Sequence, residues 1–218
     1  LRRRQTTDGG YALYPGGSTH LLVTVYAMHF LTEARAQGLS VPDDLYNYSL
    51  GFIKTLRPEN YRSLSDLRLV AQALYLLARN GVLPTNQLIY LKSFLTQNFK
   101  GIWEKDDVAI FMAASFKLLK QDDVGEKLIK TMKFTDNTPS DYAYMYDSTI
   151  RNSHLLWIIA KHFPNLASTL FESVQLKTLL APLQKNQYNT YSLASLYFAL
   201  GSMSKVASEG PLATATLA

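Results

Sequence analysis

The chain has 218 residues, of which 47% are apolar and 18% are charged, and it contains no cysteine. This composition can bury a sizeable core in one large or two small domains, and it excludes an intrinsically disordered chain. The absence of cysteine excludes disulfides, thiolate metal sites and cysteine nucleophiles. The 22 basic and 17 acidic residues give a net charge of +5, and apart from the run Arg2 to Arg4 they are interspersed. We therefore expect no nucleic-acid partner.

Apolar residues recur with helical spacing along the chain, and Gly, Pro, Asn and Asp separate the periodic stretches. The predicted helices lie at about residues 18–37, 44–56, 65–79, 85–98, 106–119, 123–133, 149–162, 165–181 and 190–203. Seven of these helices begin near a side chain that can cap the first turn, namely Ser18, Asp44, Ser65, Asp106, Ser148, Asn165 and Thr190. No segment alternates with a period of two, so the predicted fold class is all-α. The apolar runs are too short to span a membrane.

Every second predicted helix starts at residue 18, 65, 106, 149 or 190, which is a repeat with a period of about 43 residues. The helices of this set are apolar almost all round, as in residues 67–78, 108–119 and 193–200, which predicts buried inner helices. The helices between them are amphipathic. Their apolar stripes, at Leu45, Tyr48, Phe52 and Leu56 and at Leu88, Leu91 and Leu95, predict outer helices with one solvated face.

Several inner helices are preceded by loops rich in glycine and aromatic residues, such as residues 8–17, 101–103, 142–146 and 188–190. Loops of this kind favour an α/α toroid, a closed double ring in which the inner helices converge and the loops crowd one rim. An open stack of helical hairpins is the alternative.

Few residues point to chemistry. The four histidines lack the spacing of a zinc site. Asp122, Asp123 and Glu126 match a DDxxE pattern that could hold Mg²⁺ on a diphosphate. Because this pattern lies at a predicted helix start, where carboxylates interact favourably with the helix dipole, it is interpreted as a capping feature. The sequence therefore predicts no metal site, no cofactor and no catalytic residue.

Several segments, taken in order along the chain, resemble the thioester-domain toroid of bacterial alpha-2-macroglobulins, the large periplasmic relatives of complement proteins. The run Asp8 to Tyr14 (DGGYALY) resembles the DGGF loop of that family, and residues 73–81 (ALYLLARNG) resemble its ALYVLARxG run. Further matches lie at residues 18–31, 37–42, 141–152 and 189–194. The resemblance extends from about residue 8 to about residue 205.

This resemblance implies part of a large periplasmic protein that a protease cleaves in a bait region and that then changes shape and traps the protease as a broad-range endopeptidase inhibitor. The toroid would be a structural and interaction module rather than an enzyme. Its partners would be neighbouring β-rich domains of the same parent chain and, for the full-length protein, the target proteases. An inner-membrane lipoprotein anchor on the parent is compatible with this assignment.

The chain also departs from the family pattern. Members that form covalent bonds carry a CxEQ thioester motif upstream of the DGGF loop, whereas this chain has no cysteine. Either the motif lies outside these residues or the protein belongs to the branch without a thioester. A complete toroid of the family has six inner and six outer helices, so the five inner and four outer helices predicted here imply an incomplete ring. The expected divisions are an N-terminal segment and loop at 1–17, the toroid at 18–205 and a tail at 206–218 that leads to a following domain.

Function concentrates on loops held by a rigid scaffold, so the candidate site is a rim-loop surface. It comprises Tyr11, Tyr14, Asp147, Ser148, Asn189 and Thr190. Two alternatives stay open. One is an enzyme on the same toroid, of the terpenoid cyclase or prenyltransferase type, for which the DDxxE pattern is the residue-level support. The other is a plain helical-repeat binding scaffold.

Overall fold

The structure is a computed structural model that describes residues 1–135, 145–170 and 173–209. Within these ranges the fold is all-α, as predicted. The helices are α1 (Leu21–Ala36), α2 (Asp43–Thr55), α3 (Leu64–Arg79), α4 (Thr85–Asn98), α5 (Asp107–Leu118), α6 (Asp122–Ile129), α7 (Ser148–His162), α8 (Pro164–Leu170), α9 (Ser173–Gln184) and α10 (Thr190–Glu209). Short 3-10 helices lie at Arg2–Arg4, Pro58–Asn60 and Trp103–Lys105. None of the described helices is both long enough and apolar enough to cross a bilayer.

The predicted repeat is confirmed and becomes more regular in the structure. Helices α1, α3, α5, α7 and α10 start at residues 21, 64, 107, 148 and 190, so the intervals are 43, 43, 41 and 42 residues. The helix expected at 165–181 corresponds to α8 and α9, and residues 171 and 172 between them lie outside the described residues. One predicted bound is wrong. Helix α10 runs to Glu209, well past its predicted end and into the segment expected to be a tail.

The capping residues are mostly one or two positions earlier than predicted. Only Asp106 caps as expected, since its side chain accepts from the amide of Val108 at 3.1 Å. The side chains that cap α3, α7 and α10 are Ser63, Asp147 and Asn189, where Ser65, Ser148 and Thr190 were expected. Ser18 precedes α1 without capping it, whereas Asp44 and Asn165 lie inside their helices. Where two small polar residues are adjacent or nearly so, the cap is the one whose backbone is extended, which composition does not reveal.

The first compact unit comprises residues 1–104 together with 118–120. Helix α3 is its most buried element, because every residue from Leu67 to Leu77 is buried. Helices α1, α2 and α4 each pack against α3, and α1 also packs against α2. The predicted stripe of α4 is confirmed, since Leu88, Leu91 and Leu95 are fully buried.

The stripe predicted for α2 is confirmed at Leu45 and Leu56, which are buried, and is wrong at Tyr48. The buried face contains Leu45, Tyr46, Ser49 and Ile53, whereas the Tyr48 side chain is 65% exposed. Ser49 lies on this face because its hydroxyl hydrogen-bonds a buried partner, an arrangement described below. A pattern based only on apolar residues therefore identifies only part of the buried face.

The second compact unit comprises residues 105–117 and the described residues from 121 onward. Helix α7 is its centre: all residues from Ser148 to Ala160 are buried, and α8, α9 and α10 pack against it. Helix α5 is buried from Asp107 to Phe116, as the apolar sequence predicts.

Helix α10 does not match the prediction of a fully buried inner helix. One of its faces packs closely against α7, but Leu193, Tyr197 and Leu200 are 40%, 78% and 41% exposed. These positions are four and three residues apart, so they form one apolar stripe along the helix. We call this set of three side chains the α10 stripe.

Candidate functional site

The loop that carries the DGGY sequence is organised around the carboxylate of Asp8. Its Oδ1 atom accepts hydrogen bonds from the Thr6 hydroxyl at 2.6 Å, the Thr19 hydroxyl at 2.8 Å and the Gly10 amide at 3.1 Å. Burial acts to raise the pKa of Asp8, but these hydrogen bonds outweigh it and hold the pKa below its ordinary value. The carboxylate therefore closes the loop onto the segment that leads into α1.

Glycine is required at both positions of this loop, but for different structural reasons. Gly9 has a φ of +90°, and a Cβ there would collide with the backbone carbonyl of Tyr48. Gly10 has no positive φ, but a Cβ there would collide with the side chain of Thr19. The first position therefore requires glycine for both its backbone conformation and its contact, and the second requires it for space alone.

Tyr11 and Tyr14, both assigned to the rim-loop surface from sequence, lie in opposite environments. Tyr14 is 66% exposed, whereas Tyr11 is fully buried, so its assignment to a surface is wrong. The Tyr11 phenol oxygen accepts a hydrogen bond from the Ser49 hydroxyl at 2.9 Å, and its amide donates to Thr24 Oγ1 at 2.8 Å. Burial raises the pKa of Tyr11. Tyr11 is thus an anchor that holds the loop against α1 and α2.

The other rim-loop residues lie together where α7 and α10 begin. Asp147 caps α7 by accepting from the Ile150 amide at 2.8 Å. Asn189 caps α10 by accepting from the Ser192 amide at 2.9 Å, while the Ser192 hydroxyl accepts from the Asn189 amide at 2.8 Å. The Asn189 Nδ2 atom also donates to Asp147 Oδ2 at 3.3 Å. One hydrogen bond therefore connects the two caps, although they are 42 residues apart.

These residues differ in how far they reach solvent. Thr190 is exposed and Asp147 is partly buried, whereas Ser148 is buried and not at the surface as expected. Burial raises the pKa of Asp147 even though the amides of Ile150 and Thr149 stabilise its carboxylate. The aromatic residues expected at 142–144 in the same loop lie outside the described residues.

A cavity of about 590 Å³ opens beside this pair of caps. Its wall consists of residues 147–149 at the start of α7, three residues of α9 between positions 178 and 182, and residues 185–188 of the loop into α10. Asp147 and Ser148 are the sequence-predicted site residues that line it, and Tyr188 contributes a half-exposed ring. The remaining candidates, including Tyr14, do not line this cavity.

A buried polar pair in the second unit was not predicted from sequence. His154 Nδ1 lies 2.7 Å from Asp107 Oδ2, and both side chains are almost completely buried. The His154 ring also contacts Phe111 and Tyr191, with centroid separations of 5.0 and 6.2 Å. The sequence does contain a signal for this pair. An acidic residue and a histidine, about one repeat apart, each lie in a helix that is otherwise mostly apolar.

The segment that resembles the family at residues 148–152 anchors loops to α7. Arg151 Nε donates to the backbone carbonyl of Lys105 at 2.9 Å, and its Nη1 donates to the carbonyl of Lys133 at 2.9 Å. Asn152 Nδ2 donates to the carbonyl of Thr135 at 2.7 Å. These buried side chains hold backbone rather than a ligand, so their role is to position the surrounding loops.

The DDxxE residues form ordinary surface ion pairs. Asp122 lies 2.8 Å from Lys117 Nζ, and Glu126 lies 2.7 Å from Lys130 Nζ. Asp122 and Asp123 occupy the first turn of α6, where the helix dipole favours carboxylates. Within the described ranges, no three His, Asp or Glu side chains lie together as a group that could hold a metal ion.

The described chain is therefore an all-α helical repeat whose buried polar groups cap helices and anchor loops. Curated relatives assign this module to a family. It is 32% identical over 209 residues to the alpha-2-macroglobulin of Rickettsia conorii and 33% identical over 213 residues to that of Pasteurella multocida, which covers 91% and 92% of this chain. The chain spans about 11% of the length of each relative. It belongs to the alpha-2-macroglobulin family as one region of such a protein.

Solved structures show the same fold. Salmonella alpha-2-macroglobulin reacted with methylamine matches 92% of this chain with a TM-score of 0.69 and 20% identity, over 13% of the Salmonella chain. Escherichia coli alpha-2-macroglobulin activated by porcine elastase matches 90% of this chain with a TM-score of 0.69 and 20% identity, over 18% of that chain. No protein-family profile matches the sequence.

Proposed function

We propose that this chain is the thioester-domain-like helical module of a bacterial alpha-2-macroglobulin, a broad-range endopeptidase inhibitor that traps proteases after they cleave its bait region. The observation that carries the proposal is identity of about one third to two alpha-2-macroglobulins over more than nine tenths of the chain. In this role the module has no catalytic residue of its own. It supplies a rigid helical shell and a contact surface for the rest of the inhibitor.

The distribution of exposed apolar side chains supports a contact role. The α10 stripe leaves three large side chains at the surface, and on α1 Tyr26 and Phe30 are 37% and 50% exposed at positions one turn apart. Apolar stripes on helices of this kind are typical of surfaces that another part of a protein covers. We assign them to contacts with neighbouring, β-rich segments of the full-length inhibitor.

The protease partner follows from the relatives. The Escherichia coli protein with this fold is described as activated by porcine elastase, so endopeptidases are the proposed targets of the full-length protein. A periplasmic location and a lipoprotein anchor are part of the same proposal and rest on the resemblance of residues 8–205 to the bacterial family. The CxEQ thioester, if the protein has one, would lie outside this chain, which contains no cysteine.

The proposal is tested with the full-length polypeptide that contains this chain. Elastase is incubated with the inhibitor, and cleavage of casein is compared with cleavage of a small chromogenic peptide. A trapped protease is expected to lose casein cleavage and to retain peptide cleavage, because a protein shell excludes large substrates only. Equal loss of both activities, or no loss of either, contradicts a trapping role.

The contact role of the module is tested by a matched pair of variants in the same polypeptide. Tyr197→Asp places a charge on the α10 stripe and is expected to weaken trapping. Ile89→Asp, at a 58% exposed position of α4, is the control and is expected to trap as the wild type does. If Tyr197→Asp leaves trapping unchanged, the stripe is not a contact surface in the inhibitor.

A further inference from the structure

The cavity beside α7 and α10 has a built polar wall. All of its lining residues come from the second compact unit. These residues lie in two segments of the chain, 147–149 and 178–188. The cavity volume of about 590 Å³ falls within the range of roughly 300 to 1,000 Å³ that is typical of small-molecule sites. No part of the proposed inhibitor function uses this cavity.

Two hydroxyl side chains at the start of α7 line the cavity. Ser148 and Thr149 are 6% and 2% exposed, and both contribute to the wall. A hydroxyl group can both donate and accept a hydrogen bond, so both side chains could pair with the hydroxyl groups of a polar ligand.

The charge of the site disfavours an anion. The helix N-terminus that would otherwise attract one is already occupied by the Asp147 carboxylate, which accepts from the Ile150 amide. The other charged group of the wall, Lys185, directly follows α9 and is exposed. A phosphate or carboxylate would therefore approach Asp147 against its negative charge, whereas a neutral ligand with hydroxyl groups could donate to this carboxylate.

The wall of the cavity includes a half-exposed aromatic residue. Tyr188 is 48% exposed and lines the wall, next to the amide side chains of Asn186 and Gln187. An exposed aromatic face can stack on the C–H face of a sugar ring, while amide, hydroxyl and carboxylate groups hydrogen-bond its hydroxyls. We propose that this cavity binds a neutral, polyhydroxylated ligand of the size of a short oligosaccharide.

The proposal is tested by saturation-transfer NMR of the 218-residue chain with three probes, maltotriose, cellobiose and N,N′-diacetylchitobiose. At least one of them is expected to bind, and Tyr188→Ala is expected to lower its affinity about tenfold. Thr149→Val, which removes a hydroxyl with little change in volume, is expected to act in the same direction. Tyr48→Ala is the matched control, because Tyr48 is 65% exposed on α2 and does not line the cavity; its affinity for the sugar should equal that of the wild type.

Three outcomes overturn the proposal. The first is no transfer to any of the three sugars at millimolar concentration. The second is binding that neither Tyr188→Ala nor Thr149→Val weakens, because the sugar then binds elsewhere. The third is displacement of the bound sugar by inorganic phosphate at neutral pH, because the site is then an anion site. None of these outcomes affects the assignment of the chain to the inhibitor family.

Discussion

Asp107 and His154 form a hydrogen-bonded pair between the inner helices α5 and α7, with 2.7 Å between Asp107 Oδ2 and His154 Nδ1. The second carboxylate oxygen of Asp107 is buried and has no hydrogen-bond partner among the described residues. Asp107 therefore depends on His154 for the compensation of its burial, and the pair connects α5 to α7.

Replacing Asp107 by alanine is expected to lower the free energy of unfolding by about 1 to 3 kcal/mol, because the substitution leaves the buried His154 nitrogen without its partner. Urea denaturation followed by circular dichroism measures this loss. Asp123→Ala, at an exposed carboxylate in the first turn of α6, is the control and should cost less than about 1 kcal/mol. Equal losses of unfolding free energy in the two variants would show that the buried pair contributes no more to stability than an exposed carboxylate.

Gly9→Ala is expected to destabilise the protein by more than about 2 kcal/mol, because the φ of Gly9 is +90° and the added Cβ meets the carbonyl of Tyr48. Gly51→Ala is the matched control. Gly51 lies in α2, and a Cβ there meets nothing within 4 Å, so this substitution should stabilise the helix by up to about 1 kcal/mol. The melting temperatures of the two variants should therefore move in opposite directions. A melting temperature of Gly9→Ala equal to that of the wild type would refute the requirement for glycine.

Asp44 is expected to titrate at an unusually low pH. A hydrogen bond from Arg2, whose Nη2 lies 3.0 Å from Asp44 Oδ1, lowers the pKa of this carboxyl from 3.8 to about 2. The folded state thus favours the carboxylate, so the stabilisation is complete above pH 3.8 and is lost as the pH falls through about 2. Carbon-13 NMR of the carboxyl group should show a return toward 3.8 in Arg2→Ala. Arg3→Ala, at the adjacent exposed arginine, should leave the titration midpoint unchanged.

The hydrogen bond between Asn189 and Asp147 predicts coupling between two helix caps. Each single substitution by alanine should cost about 0.5 to 2 kcal/mol through loss of its own cap. The double variant should cost less than the sum by about 0.5 to 1 kcal/mol, because the shared hydrogen bond can be lost only once. Asn189→Ala combined with Asp123→Ala should be additive, and additivity in the first pair as well would contradict the coupling.

The capping residues illustrate how far sequence reasoning reaches. The helix starts of the 43-residue repeat were predicted within three residues of their positions, because the apolar period and the breaks are local properties of the chain. The identity of the cap was missed at α7 and α10. Asp147 and Ser148 are both good caps, and only the backbone conformation, which is extended at Asp147, distinguishes them.

The candidate site could be predicted from the sequence only in part. The sequence predicts Asp147, Ser148 and Asn189 as loop residues of the site. In the structure Asp147 and Ser148 line the cavity, and Asn189 hydrogen-bonds Asp147. The prediction also placed Tyr11 at the surface, whereas the structure buries it against Ser49. Aromatic residues occur in both exposed and buried loops, so composition cannot separate Tyr11 from Tyr14.

By itself, the sequence determined the all-α class, the repeat and the family resemblance, because periodicity, chain breaks and motif order are properties of residues near one another in the chain. The tertiary structure alone decided which polar groups are paired. Asp107 with His154, Tyr11 with Ser49 and Asp147 with Asn189 are each separated by about 40 residues or more. Such pairs form only when packing of the apolar faces brings distant helices together, and the burial that results makes their hydrogen bonds obligatory.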